Sequence, residues 1–149
     1  MADRTLTIHN GQLTEHFNIW EFAHQSGKEI YIDNLFLYKF VPALEAFRVW
    51  YNRQINITSG YRPTAYNAIV GGSSNSSHLR SLAIDFPYPM KEYAQMSAAR
   101  KNQFLMRVKQ KWVELCHGCG MYAQVNFYDN RFHLGMSLKN DNFLDLRSK

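Results

Sequence analysis

Three residues of this 149-residue chain have the types to hold a metal ion: His78, Asp85 and, much later, His133. Imidazole nitrogen and carboxylate oxygen both ligate zinc, and a catalytic zinc usually has three protein ligands and one open position. With six histidines in the chain, a His and an Asp seven residues apart are not rare, so spacing alone leaves ordinary structural roles open. Arg62 and Ser77 lie on the same stretch. A guanidinium offers a fixed fork of donors to a carboxylate, and a structural ion pair is the plain alternative. Ser76 and Ser77 suit either capping of the loop or support of the ligands. Cys116 and Cys119 have a spacing that can ligate metal, but no second pair accompanies them. Two ordinary thiols is the leading reading, with a disulfide or metal binding as alternatives.

These residues need elements to bring them together. Gln54 to Thr58 alternates apolar and polar and reads as a strand delivering Ser59-Gly60-Tyr61-Arg62, with Pro63 holding Arg62 toward extended geometry. A helical turn over Tyr66 to Val70 ends at Gly71-Gly72, and Ser73 to Ser77 is a polar loop. Leu82 to Phe86 reads as a strand carrying Asp85, closed by Pro87. Met121–Tyr128 and Arg131–Met136 read as a hairpin about Asp129-Asn130, which puts His133 on its second strand.

The remaining segments supply the packing. From Asn34 to Tyr51, Leu37, Phe40, Val41, Leu44, Phe47, Trp50 and Tyr51 recur at helical spacing, with Pro42 at a first turn or dividing the run. Lys91 to Cys116 is helical throughout, with a joint expected near Arg100-Lys101-Asn102, and Gly118 and Gly120 end it. Thr14 or Asn18 caps a short helical turn that carries Ile19, Trp20 and Phe22 inward. Residues 5–15 are polar and turn-like, 23–32 form a loop, and 139–149 form a polar tail. The sum predicts one α+β domain over 1–149: a small antiparallel sheet with helices packed on one face.

Composition sets bounds. With 46% hydrophobic and 15% aromatic residues the chain can bury a core. A formal charge of +5 reads as a solvated basic surface. No basic run interleaved with aromatics tracks a phosphate backbone, so no nucleic-acid partner is expected. No apolar stretch is long enough to span a membrane. Met1-Ala2-Asp3-Arg4-Thr5 lacks the apolar core of a secretory signal, which predicts synthesis in the cytoplasm.

In their order along the chain, Ser59-Gly60-Tyr61-Arg62, Asn67, Gly71-Gly72-Ser73, Ser76, His78, Ala83, Asp85, Gly118-Cys119-Gly120-Met121-Tyr122 and Phe132-His133 form a recognisable pattern, with Leu13, Phe17 and Glu21-Phe22 ahead of them. Over about residues 13–136 the chain resembles the zinc D-Ala-D-Ala carboxypeptidase-like metallopeptidases, most of all their small phage and bacterial members. The resemblance implies the hedgehog/DD-peptidase fold, and zinc held by His78, Asp85 and His133. It further implies Arg62 on a substrate carboxylate or carbonyl, and hydrolysis of peptidoglycan stem peptides by metal-activated water. Such a protein would act on the cell wall after release or within a virion.

Departures from the family pattern fall at Ser77, where glutamine is frequent, at Ser81, where glycine is frequent, and at Leu134-Gly135 after the last histidine. The acid that many relatives place three residues before that histidine is here Asn130, which cannot take a proton. Asp129, next to it, is the expected general base, with Glu21 and Glu114 as other candidates. Asn130 and Gly135 favour a second reading, an inactive peptidase-like domain serving as a wall-binding or virion structural module.

Overall fold

A computed structural model describes residues 10–24 and 29–139 of the chain. The expected turn residues Leu6 and Ile8, the loop residue Gly27 and most of the polar tail lie outside the described residues.

Three antiparallel strands form the sheet: β1 (Ala83–Pro87), β2 (Tyr122–Phe127) and β3 (Arg131–Ser137), with β3 in the centre. Successive side chains of a strand point to opposite faces, and the register sorts this sheet cleanly. Phe86, Phe132 and Phe127 share one face with Ile84, Leu134 and Val125. Asp85, His133 and Asn126 lie side by side on the other. One face builds the core and the other builds the site.

The core face is covered by α1 (Val41–Tyr51) and α4 (Ala98–Gly118). Aromatic rings lock this layer. Phe47 meets Trp112 edge-on at 6.0 Å and Phe86 at 6.4 Å, while Phe86 and Phe132 are 5.0 Å apart. Trp112 also donates its indole N–H to the Gly135 carbonyl at 2.8 Å, tying α4 to the central strand. Such buried ring pairs contribute about 0.5–1.5 kcal/mol each beyond the area they bury. The α+β architecture expected from the sequence is present.

Ahead of α1 the helix is wound as a π segment, Phe36–Phe40, in which Val41 N–H reaches back to the Phe36 carbonyl. Pro42 has no N–H to give to the turn below it, so the helix widens by one residue and continues instead of breaking. Its start is capped by Asp33, whose carboxylate accepts the Phe36 N–H at 3.0 Å. At the other end Asn52 closes α1 in the left-handed conformation.

Three sequence expectations are corrected. Residues 54–58 are not a strand. Their alternation is real, with Ile55 buried and Gln54 and Asn56 exposed, but pairing is confined to an isolated bridge between Ser59 and Asp85. The helical stretch after β1 is divided at 95–97, not at 100–102. The short α3 (Met90–Ala94) ends there and Ser97 caps α4 through the Arg100 N–H. The hairpin of β2 and β3 and the capped turn Ile19–Phe22 lie where the sequence places them, and α2 (Thr64–Ile69) starts two residues ahead of the expected turn. Of the three side chains expected to point inward from the capped turn, Ile19 and Phe22 are buried, but Trp20 is 55% exposed and lines the larger cleft.

Candidate metal centre and cleft

His78 sits in a 3-10 turn, Ser77–Arg80, that packs over the site face of the sheet. The Ser76 hydroxyl accepts the His78 N–H at 3.2 Å and so caps this turn. Ser77 donates instead to the Met136 carbonyl of β3 at 3.2 Å. The two serines therefore fix the turn, one from its start and one from the sheet below.

Asp85 and His133 are direct cross-strand partners, and both point toward the turn. His133 Nδ1 lies 2.9 Å from Asp85 Oδ1, and His78 Nε2 lies 3.3 Å from the same oxygen. The two imidazole rings meet edge to face at 5.1 Å. One ligand atom from each of the three residues falls within 4.8 Å of the others. Segments separated by 48 residues of chain thus converge on one point.

The protonation of His78 decides what this point can hold. Its Nδ1 is 2.6 Å from the Gly60 carbonyl oxygen. A carbonyl only accepts, so the proton is assigned to Nδ1 and Nε2 carries a lone pair. Burial holds the His78 pKa below its ordinary value, against the opposing pull of Asp85, and keeps the ring neutral. Nε2 is then a buried atom without a donor, facing a carboxylate oxygen. Two lone-pair bearers aimed at each other repel unless a cation lies between them. Burial alone would raise the Asp85 pKa, but the contacts that oppose it, the hydrogen bond from His133 foremost, outweigh it and hold the carboxyl ionised, well below the usual range. Two imidazoles and one carboxylate are a donor set that zinc accepts.

Gly60 is what allows this geometry. Its backbone runs so close to the Phe22 carbonyl that a Cβ there would overlap it. The same contact is pinned by Tyr61 N–H donating to that carbonyl at 2.7 Å.

Arg62 is held on three sides. It donates to Ser59 Oγ at 3.2 Å, to Asn67 Oδ1 at 3.4 Å and to Asp85 Oδ2 at 3.3 Å, while its own N–H reaches the His78 carbonyl at 3.0 Å. Arg62 and Asp85 line both a cleft of about 500 Å³ and a smaller cavity of about 180 Å³ that contains His78 and His133.

The structure places the candidate acids in different surroundings. Asp129 lies on the exposed hairpin turn and lines neither cavity. Glu114 is on α4, paired with Lys111. Glu21 lines the larger cleft, where its Oε2 accepts the Asn18 N–H at 2.7 Å in a capping box.

Two residues went unread in the sequence. Arg131 opens β3 on the site face, with Nε 3.8 Å from Asp85 Oδ2 and its guanidinium 4.3 Å from the Tyr128 ring centroid. Asn126 completes the row Asn126–His133–Asp85, and its buried side-chain oxygen has no partner among the described residues. The signal for both was their two-residue phase with His133 and, across the hairpin, their register. Cys116 and Cys119 are free thiols on the far end of α4, and burial pushes the Cys116 thiol well up, away from reactivity.

No curated protein matches the chain. A model of the peptidase M15 family matches residues 15–119, a span that contains Arg62, His78 and Asp85 and stops before the hairpin that carries His133. With more than half of its length matched, the chain belongs to the peptidase M15 family.

Proposed function

We propose that the chain is a zinc-dependent peptidase that hydrolyses a bond in peptidoglycan stem peptides, with His78, Asp85 and His133 as the ligands. The observation that carries the reading is the lone pair of His78 Nε2, buried, without a donor and aimed at Asp85 Oδ1 beside His133. Zinc, when bound, supplies Lewis acidity toward the scissile carbonyl and toward water.

The chain's own residues do the rest. The Gly60 carbonyl keeps the His78 proton on Nδ1 and so keeps Nε2 available. Arg62, fixed by Ser59 and Asn67 and lining both cavities, offers its guanidinium to a substrate carboxylate or carbonyl. The 500 Å³ cleft, walled by Trp20, Tyr61 and Tyr66, suits an extended peptide.

Sequence position nominates Asp129 as the acceptor of the water proton, and cavity lining nominates Glu21. Two variants separate them. Glu21→Gln keeps a side chain that serves the capping box but cannot accept a proton, and Asp129→Asn keeps the turn. Whichever variant retains zinc and loses most hydrolysis marks the base. The reading as a whole is tested by incubating zinc-loaded protein with purified peptidoglycan and resolving the released peptides. Release by the parent and none by His78→Ala is expected. A full zinc complement with no release in the parent would instead support the inactive binding module, which the exposed position of Asp129 favours.

A further inference from the structure

Arg131 and Arg62 flank the same oxygen. Arg62 Nη2 is 3.3 Å and Arg131 Nε 3.8 Å from Asp85 Oδ2, and both arginines line both cavities, so they stand at the junction of the two. Their surroundings differ. The Arg62 side chain is 16% exposed and has neutral acceptors in Ser59 and Asn67. Arg131 is 44% exposed, and its side-chain contacts among the described residues are the Tyr128 ring and the long approach to Asp85. Stacking on Tyr128 steadies the guanidinium without using any of its five N–H donors, at a position that lines both cavities.

The charge count around the junction is lopsided. Among the described residues, Asp85 is the one carboxylate lining the smaller cavity, and Glu21 adds one in the larger, with an oxygen already committed to the Asn18 N–H. Oδ1 of Asp85 faces the two histidines and Oδ2 faces both guanidiniums. Once a divalent cation draws on that carboxylate, two arginines share little negative charge, and the junction favours a second anion.

From this arrangement we infer that Arg131 is a specificity-determining residue, binding a carboxylate of an acidic peptide in addition to the group held by Arg62. The inference rests on the proposed peptidase reading for what the peptide is, but not for whether it binds. The ligand class is a short peptide with an ionised side-chain or terminal carboxylate close to the bond that enters the metal cavity. Arginine suits the role because a planar fork meets a carboxylate with two parallel bonds, which an ammonium cannot do.

The test uses the full chain loaded with zinc and a matched pair of short peptides, one with the carboxylate and one with the carboxamide in its place. Affinity is read by calorimetry and kcat/KM by product release, for the parent, Arg131→Gln and Arg131→Lys. A preference of about tenfold for the carboxylate peptide is expected in the parent, the factor that a charge-assisted hydrogen bond supplies. Arg131→Gln should bring the ratio to within about twofold, and Arg131→Lys should keep part of it. The parent's preference should also shrink as salt rises, because the guanidinium is partly exposed. Equal losses on both peptides in Arg131→Gln would make Arg131 a support for Asp85 and overturn the inference. A parent that does not discriminate, or binds neither peptide, overturns it as well. Discrimination in binding that disappears in Arg131→Gln, with neither peptide cut, would sustain the subsite and sink the peptidase reading.

Discussion

The proton on His78 is set by a carbonyl, and the carbonyl is set by a glycine. Gly60 presents its oxygen to His78 Nδ1 only because no Cβ stands between its backbone and Phe22. Gly60→Ala is therefore expected to weaken zinc binding by about 10–100-fold, the usual cost of losing a hydrogen bond behind a metal-binding histidine. Competition against a chromogenic chelator measures this, and unchanged affinity would mean that the carbonyl does not orient the ring. Two departures from the family pattern also find physical reasons here. Ser81 sits at φ 61°, a left-handed conformation that glycine adopts freely, and it is retained with its hydroxyl donating to the Tyr31 carbonyl at 2.6 Å. Gly135 lies against Gln124 Oε1 and Ala83 Cβ, at 2.7 and 3.0 Å from where its own Cβ would be, so a side chain there would push the strands apart.

At the scale of elements, the helix that begins at Asp33 is joined to the turn that carries His78. Asp33 caps Phe36 with one oxygen and pairs with Arg80 at 2.6 Å through the other. Burial would raise its pKa, but the Phe36 N–H and Arg80 outweigh that and lower it. A depressed folded pKa gives stability that is present above the unfolded value near 3.8 and lost as pH falls through the folded value. Asp33→Ala should cost about 1 kcal/mol at neutral pH, chiefly the cap, and the gap to the parent should narrow below about pH 4. Urea titrations at pH 7 and pH 3 would check the sign, and an equal gap at both would deny the carboxylate its part. Phe47 anchors the other layer. It is fully buried against Phe86, Tyr51 and Trp112, so Phe47→Ala should cost about 3–5 kcal/mol in the same titration. A loss below about 1 kcal/mol would mean that the core can collapse into the space.

Across the whole molecule the proposed zinc ties the 3-10 turn between Ser77 and Arg80 to the paired strands β1 and β3, which that turn otherwise meets through contacts such as the Ser77 hydroxyl on the Met136 carbonyl. A ligand that binds only the folded state stabilises it by mass action, about 2.7 kcal/mol at a hundred times its Kd. Unfolding midpoints measured with excess zinc and with a chelator should differ by that order in the parent and not at all in His78→Ala. Equal midpoints in the parent would remove the metal from this site.

Much of this was legible in the chain itself. The helical period of 34–51, the hairpin with His133 one step out of phase with Phe132 and Leu134, and the ordered motifs from Ser59 to Asp85 are local patterns, and local patterns survive in one dimension. The α+β class and the family resemblance follow from them. Other features needed three dimensions. Residues 54–58 alternate like a strand, yet whether a strand pairs depends on a partner edge, and here β1 offers it a single bridge. The helix break fell at the Ser97 cap because a capping hydroxyl competes locally with continued helix, a choice that several polar residues in 91–102 could have made. Arg131 had no motif to announce it; cross-strand register and the Tyr128 ring brought it beside Asp85. Asp129 shows the converse, a residue next to the right position in sequence that lines neither cavity in the fold. Residue types and their period determined which chemistry the chain can perform, whereas the direction of each side chain, set by register and packing, decided which residues share the site.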